Sequence, residues 1–570
     1  MDRRARFPGQ RWAVFAVILG LAAACVPAAP PSTAKPAGSA ASGQTSDPAA
    51  AAPEKIVRGG TFVIGMHGDL VNFDVVTQTA ALHLSVMSLV QSGLMKWGKS
   101  TVVDPTKLAC DLCESWTQID PTTYEFKLRQ GVRWHNVPPV NGRELVADDV
   151  KYTLERLKTG NFRNDPRFGR NQSKVASIES IETPDKYTLR VKLKAPDAAF
   201  LWHMGDPFVL IVAREQVEAE SDGILQSGLV GTGPFILKEF TPKVGYTLVR
   251  NPDYFQPGLP YLDAVEVRVI MDNTTRANAF RAKEIHDPGM FMDAEKKRII
   301  DRSHPDLFMG EVPGMTTAGI YFNTTRPPFD DARVRRAINL AIDRQGIIDA
   351  TRFGHAVLTR WLSPSVGIYA TPENEVAKLP GYRQPKDQDV ATARRLLAEA
   401  GYPNGFSTEL KVIRSANIPA DAEVIAEQLR RNLNVEVKLV VLERAVHAKE
   451  TQAGNYAMSA EYTLSSAGDP GEALGQIVST SGANTGQWKN ARYDELYAQQ
   501  QAALDPQERA RIIGQMMDLL DEEVPVLITY TDNNYRGYPK GCHGIQQEHR
   551  YNVLIRYMSE VWCDEGVLRR

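Results

Sequence analysis

The sequence predicts a mixed α/β fold, because strand-period and helix-period segments alternate along one long soluble stretch of chain. Tyr124, Phe126 and Leu128 alternate with Glu125, Lys127 and Arg129, the period of a strand with one buried face. Apolar residues return at helical spacing behind Asp330-Asp331 and again behind Asp389. Near Leu433 a helical pattern passes directly into a strand pattern (Val435, Val437, Leu439), as in layered α/β architectures.

Length and composition bound the possibilities. The chain has 570 residues, 43% of them hydrophobic and 24% charged. That is about three or four domains' worth of chain and enough to bury a large core without disulfide staples. Wholesale disorder, a polytopic membrane protein and a small disulfide scaffold are excluded. Lys and Arg number 66 against 68 Asp and Glu, a formal net charge of -2, so there is no electrostatic case for nucleic acid as a partner.

The elements follow in order. Arg3, Arg4, Arg6 and Arg11 precede the uncharged apolar stretch Trp12–Ala24, which falls short of the roughly 20 residues a membrane span needs. A basic start, a short apolar core and a run of small residues read as a signal peptide over residues 1–24. Its removal takes away four Arg and one Asp, leaving the mature chain near -5. Leu21-Ala22-Ala23-Ala24-Cys25 resembles a bacterial lipobox, in which the Cys is lipidated and becomes the mature N-terminus. The preferred Leu three positions before the Cys is Ala22 here, so ordinary cleavage after an Ala-x-Ala site is the alternative. Arg3-Arg4 lacks the residues that should follow in a twin-arginine signal. Residues 26–56 are almost entirely Ala, Pro, Ser, Gly and Thr, a composition with little to bury. Residues 25–58 are therefore expected to be a disordered tether, with the globular part opening at Gly59-Gly60-Thr61-Phe62. No later stretch reaches 18 apolar residues.

Residues 81–91 predict a helix, and Tyr187, Leu189, Val191 and Leu193 a second half-buried strand. A helix behind Asp331 turns Val334, Ala337, Ile338, Ala341 and Ile342 inward. The next, from about Asp389, turns Val390, Ala393, Leu396, Leu397 and Ala400 inward and ends at Gly401 and Pro403. Val424, Ile425, Leu429 and Leu433 line a third. There is no internal repeat and no composition break after residue 59.

Several blocks carry a resemblance. They are Asp120–His135 (DPTTYEFKLRQGVRWH), Ala147–Arg156 (ADDVKYTLER), Gly231–Phe235 (GTGPF), Asn251–Phe255, Leu262-Asp263, Tyr321–Ala341 with Asp343, and Leu396–Pro403 (LLAEAGYP). In this order, over nearly all of residues 59–570, the sequence resembles the family 5 extracellular solute-binding proteins of ABC importers. The resemblance implies a two-lobed periplasmic-binding-protein fold, type II, of the large three-subdomain class, with an interlobe ligand cleft. By analogy, residues 59–91, 229–315 and 536–570 form lobe I, 92–228 an additional sub-domain, and 316–535 lobe II. It also implies a monomer that captures a peptide or other small polar solute outside the cytoplasmic membrane and passes it to permease subunits, with no cofactor, metal or catalysis. A receptor feeding a signalling system and an exported enzyme on the same fold are the alternatives; the second would need a nucleophile–base pair for which no motif is present.

The resemblance also singles out Tyr462-Thr463-Leu464-Ser465-Ser466-Ala467-Gly468-Asp469-Pro470. In peptide-binding relatives an Asp four residues before this Pro pairs with the peptide's α-ammonium, since a buried cation needs a partner. That position is Ser466, so Glu461 or Asp469 must substitute or the solute differs: an oligosaccharide, opine, metal chelate or modified amino acid in place of a peptide. Tyr462, Ser465, Ser466 and Asp469 are the expected ligand-binding residues, with Asp469 alternatively a cap for the next turn. Trp361 either stacks on a ligand or packs beneath the surface. Asn323 and His135 are expected to be structural.

The remaining chemistry is weaker. Gly93–Ser100 matches G-x-x-x-x-G-K-S, but a phosphate loop must lead from a strand into a helix, and here the order is reversed. Cys110 and Cys113 stand in a stretch (LACDLCESW) where relatives usually read LAESW. With Cys542 and Cys563 they are expected to form two disulfides, 110–113 and 542–563, in an oxidising compartment. A four-Cys zinc site, a redox site, free thiols and other pairings stay open.

Overall fold

The computed structural model describes residues 55–570 apart from 71, 78–80, 99–107, 160–170, 221–224, 227, 290–292, 416, 466–467, 546–552 and 569–570. The signal segment, Cys25 and most of the tether lie outside the described residues, as does Ser466. Ile56–Arg570 form one compact body.

Three sheets organise it. β1 (Thr61–Met66) is followed by the short pair β2 (Met95–Trp97) and β3 (Leu108–Cys110). β4 (Cys113–Asp120), β5 (Thr123–Leu128), β6 (Ile178–Asp185) and β7 (Thr188–Leu193) make an antiparallel sheet in the order β4-β5-β7-β6. Its inner face carries the predicted Tyr124, Phe126, Leu128, Leu189, Val191 and Leu193, packed on Val150, Leu154 and Leu157 of the helix Ala147–Thr159. β8 (Phe235–Thr241), β9 (Gly245–Arg250) and β10 (Ala264–Val269) then complete a sheet with β1, in the order β1-β10-β9-β8.

The third sheet has six strands, β12-β16-β11-β15-β13-β14. These are β11 (Leu307–Phe322), β12 (Ala356–Val357), β13 (Ser407–Ile413), β14 (Glu436–Leu442), β15 (Met458–Ser465) and β16 (Val526–Pro539). The helices Ala332–Ala341, Asp387–Glu399 and Ile418–Leu433 cover one of its faces with the apolar stripes read from the sequence. Asp331 caps the first by accepting from Arg333 N, and the second ends before Gly401 at φ +94, a backbone angle that costs glycine little.

β11 and β16 are long enough to reach beyond this sheet. At one end Leu307, Met309 and Tyr535 pack with Val63, Phe280 and Ile285 beside β1; at the other Ile320, Phe322 and Leu527 lie in the core of the six-stranded sheet. The pairing slips register between Pro313 and Thr317, where a side chain on Gly314 would meet the Asp532 carbonyl at 2.8 Å. Two adjacent antiparallel strands thus link the two sheet regions through an irregular waist. A disulfide joins Cys110 to Cys113 between β3 and β4. A second, Cys542–Cys563, staples the short pair β17 (Cys542–His543) and β18 (Trp562–Cys563).

The phosphate-loop pattern does not lead into a helix. Gly93 bridges to Leu210, and Met95–Trp97 form a strand; Lys99 and Ser100 lie outside the described residues.

Candidate functional site

β15 brings the segment of interest up to the waist. It runs antiparallel to β11, with Tyr462 opposite Ala318, Glu461 opposite Gly319 and Ser465 opposite Thr316. Alternation along a strand sends neighbours to opposite faces, so Tyr462 and Glu461 meet different surroundings. Tyr462 is half-buried against the core that holds Met458 and Ala460. Burial raises its hydroxyl pKa, as do the nearby Asp532 and Asp421, while Arg352 lowers it. Arg352 is itself bound to Asp421 at 2.9 and 3.1 Å and to Asp532 at 2.7 Å.

Glu461 shares the other face with Ser459 and Thr463. Ser459 Oγ donates to Glu461 Oε1 at 3.2 Å and also lies 2.9 Å from His447 Nε2. Burial pushes the Glu461 carboxyl up to about 7, against the Ser459 hydrogen bond and the more distant Arg444. Thr463 Oγ1 meets Thr317 Oγ1 at 2.7 Å, tying the end of β15 to the irregular part of β11.

Asp469 closes the segment. It accepts from Gly471 N at 2.7 Å as cap of the short helix Pro470–Leu474. Both of its carboxylate oxygens are also held by Arg509, at 2.7 Å each, with both side chains about 95% buried. Bidentate Arg–carboxylate geometry of this kind fixes orientation as well as charge. Asp469 is therefore spent inside the protein. Trp361 is 3% exposed and packs with Leu362, Tyr369 and Met517. Its indole Nε1 donates to Asp521 Oδ1 at 2.6 Å. Arg509 and Asp521 lie near opposite ends of one helix, Pro506–Glu523, so one helix anchors both the Asp469 corner and the Trp361 loop.

Ser465 is the last residue of β15. The two residues expected to be structural are so placed. Asn323 Nδ2 donates to the Gly454 and Tyr456 carbonyls at 3.1 Å each. His135 Nε2 lies 3.0 Å from the Gly233 carbonyl, and burial lowers its pKa to about 4.

Beside the Asp469 corner a groove of about 800 Å³ separates Ser173, Ser177 and Asp197 from Glu472, Gln476 and Tyr497. Glu472 and His203 line it and Lys174 meets them there, a cluster with no local signal in the sequence because Lys174 and Glu472 are 298 positions apart. Arg509 was missed too, although its signal was present. It stands at the helical spacing of Ile512, Ile513, Met516 and Leu520 on a buried face, where a lone charge demands a buried counter-ion.

Comparison with known proteins assigns the family. Residues 107–485 match the family described as bacterial extracellular solute-binding proteins, family 5 Middle. The chain belongs to that family. Heme-binding protein A of Haemophilus influenzae is 28% identical over 447 residues, 75% of this chain and 78% of the relative. Di/tripeptide-binding protein 1 of Pseudomonas aeruginosa is 28% identical over 466 residues, 77% and 83% of the two chains. Among solved structures, the periplasmic binding protein DppA of Helicobacter pylori in complex with the peptide STSA superposes with a TM-score of 0.70. It is 24% identical and covers 89% of this chain and 99% of its own. The family 5 chain is an extracytoplasmic, non-enzymatic solute-binding protein of an ABC importer.

Proposed function

We propose that the mature chain is tethered to the membrane by a lipidated Cys25 and residues 26–58, delivers its solute to the importer's permease, and takes a solute without a free α-ammonium group. Solute enters between lobe I (59–91, 229–315, 536–570) and lobe II (316–535), which close on it by hinging at the β11–β16 waist. Tyr462, Ser465 and Ser466 contribute to the lobe II wall. Asp469 shapes that wall from behind, and Trp361 supports it through Asp521.

The observation that carries the solute class is the occupation of Asp469. Position 466 is a Ser, and the carboxylate that could replace an Asp there is already neutralised by Arg509. A buried ammonium group at this corner would lack a partner and cost several kcal/mol. N-blocked peptides, acidic conjugates and chelates escape that cost. The relatives' names span heme and di- or tripeptides, so family membership is compatible with either class.

A second reading rests on Glu461, whose contacts are Ser459 and a distant Arg444 rather than a bound cation. If Glu461 meets the ammonium, free-amine peptides bind after all. Thermal shift on chain stripped of carried-over ligand by unfolding and refolding separates the two, because specific binding raises the melting temperature by mass action. A shift with N-acetylated tripeptides or metal chelates, and none with free-amine tripeptides, is expected. A shift with free-amine peptides that disappears in Glu461→Gln establishes the second reading instead. Cys25→Ala is expected to move the protein from the membrane fraction to the soluble one.

A further inference from the structure

At the groove, charges from two distant parts of the chain meet. Glu472, on the helix that follows Asp469, lies 3.4 Å from Lys174 Nζ and 3.6 Å from His203 Nε2. Lys174 belongs to the turn Gln172–Val175 and His203 to the helix Phe200–Met204, both within residues 92–228. Lys174 is also bound to the buried Asp206 at 2.7 Å. Beside these pairs, Ala198 N donates to the Gln501 carbonyl at 2.8 Å. The stacked rings of Trp97 and Trp202, 5.0 Å apart, share a hydrophobic cluster with Leu464, Leu474 and Tyr493. Among the described residues neither ring nitrogen of His203 has a hydrogen bond within 3.5 Å, the nearest acceptor being Glu472 at 3.6 Å, and both nitrogens are shielded from solvent.

The geometry points to a latch: Glu472, clasped by Lys174 and His203, holds residues 92–228 against lobe II when the molecule is closed and lets go when it opens, and proton uptake by His203 tightens it. This rests on the reading above that the lobes move. Charge balance supports it. Among the described residues, with His203 neutral Lys174 faces two carboxylates, Asp206 and Glu472; with His203 protonated, two cations face two anions, and Asp197 adds a further attraction to the ring. The neighbouring Asp469 and Arg509 cancel each other, and the Tyr497 hydroxyl is held neutral with its pKa up at about 12, chiefly by burial. Burial and the Lys174 charge lower the His203 pKa, Glu472 and Asp197 raise it, and the net shift is upward. Closing therefore takes up a proton. The latch is at full strength below the ordinary histidine value near 6.5 and weakens as pH rises through the raised value.

The test needs no solute. Small-angle scattering of the ligand-free, full mature chain at pH 5.5, 7 and 8.5 reads the balance of compact and expanded forms. Wild type is expected to expand as pH rises. Glu472→Gln and Lys174→Met are expected to be expanded throughout, with about a tenfold or greater rise in the open-to-closed ratio. His203→Gln is expected to abolish the pH step. Circular dichroism confirms folding, and because the wild-type titration involves no substitution, misfolding of a variant leaves a decisive measurement. A wild type that expands with pH equally in Glu472→Gln and His203→Gln overturns the latch and leaves lobe movement standing. One invariant compact form in every variant and at every pH overturns both. Neither result bears on the solute class, which the thermal-shift panel decides.

Discussion

The two ends of the segment from Glu461 to Glu472 place the same functional group in opposite situations. At the far end Asp469 is a buried carboxylate matched atom for atom by Arg509. At the near end Glu461 is a carboxylate on the same chain segment, largely buried, with a serine hydroxyl as its contact and a carboxyl pKa pushed up to about 7. Partners rather than residue type decide what each can do. Asp469 is a structural anchor whose charge is cancelled on site. Glu461 sits on the edge between its charged and neutral forms at physiological pH, which makes it the group on this segment free to respond to a ligand.

The largest expected effect comes from breaking the anchored end. Asn at 469 can still cap the helix Pro470–Leu474 but cannot neutralise Arg509, so Asp469→Asn isolates the loss of the ion pair. Stranding a buried guanidinium costs about 3–5 kcal/mol. Urea unfolding followed by tryptophan fluorescence is expected to show that loss at pH 7. A change below about 1 kcal/mol would mean that water reaches Arg509 and that the corner is less sealed than its burial indicates.

The near end should respond with the opposite sign. Because the folded pKa of Glu461 lies above the ordinary value of 4.5, the folded state holds its proton more tightly than the unfolded chain does. Its contribution is fully present below pH 4.5 and is lost as pH rises to about 7. Glu461→Gln, which mimics the protonated form, is expected to be neutral at pH 4 and stabilising at pH 8, by up to about 3 kcal/mol. Melting temperatures of the two proteins across that range check it. Parallel curves would show that Glu461 stays ionised, and the contrast between the two ends would collapse.

How much of this was legible in the sequence follows from the range of the interactions involved. The strands at 123–128 and 188–193, and the helices at 332–341, 387–399 and 418–433, stand where local apolar periodicity puts them, because periodicity is a property of neighbours in the chain. The segment Tyr462–Pro470 was found through resemblance, and Asp469 as a cap through the Asp-Pro pattern, again locally. What stayed hidden were pairings that only folding makes: Arg509 with Asp469, 40 positions apart, and Lys174 with Glu472. Trp361 shows the same limit. The partner of its indole N–H is Asp521, 160 positions away, which no local pattern announces.

A smaller effect probes the loop that the same helix anchors. Trp361→Phe keeps an aromatic ring in the cluster but deletes the indole N–H that Asp521 accepts. Asp521 retains Arg360, bound at 2.6 and 2.8 Å, so the carboxylate is not left alone. The expected cost is about 1.5 kcal/mol, near the low end for a hydrogen bond to a charged group. Solute affinity is expected to fall less than twofold, since the ring supports the wall from behind. A loss of affinity well beyond the loss of stability would place Trp361 against the ligand instead.

The smallest expected effect on folding is at Glu472, and the reason is thermodynamic. Its carboxyl is held at about 2 by Lys174 and His203 although burial works the other way, so the contacts are strong while they last. They join Lys174 and His203 to a helix about 270–300 positions further along the chain, and if that junction parts before either side unfolds, the contacts stabilise closed over open and not folded over unfolded. Glu472→Gln can then lower global stability by no more than the free-energy gap between the two forms, of order 1 kcal/mol for a molecule that samples both. Asp469, three residues earlier, has no such ceiling, because its partner lies within the same region. Chemical unfolding of the two variants side by side is the sharpest test: a loss of about 1 kcal/mol or less in Glu472→Gln beside several kcal/mol in Asp469→Asn marks a working junction. Equal losses would mean that the interface around Glu472 is permanent core, which no latch could be.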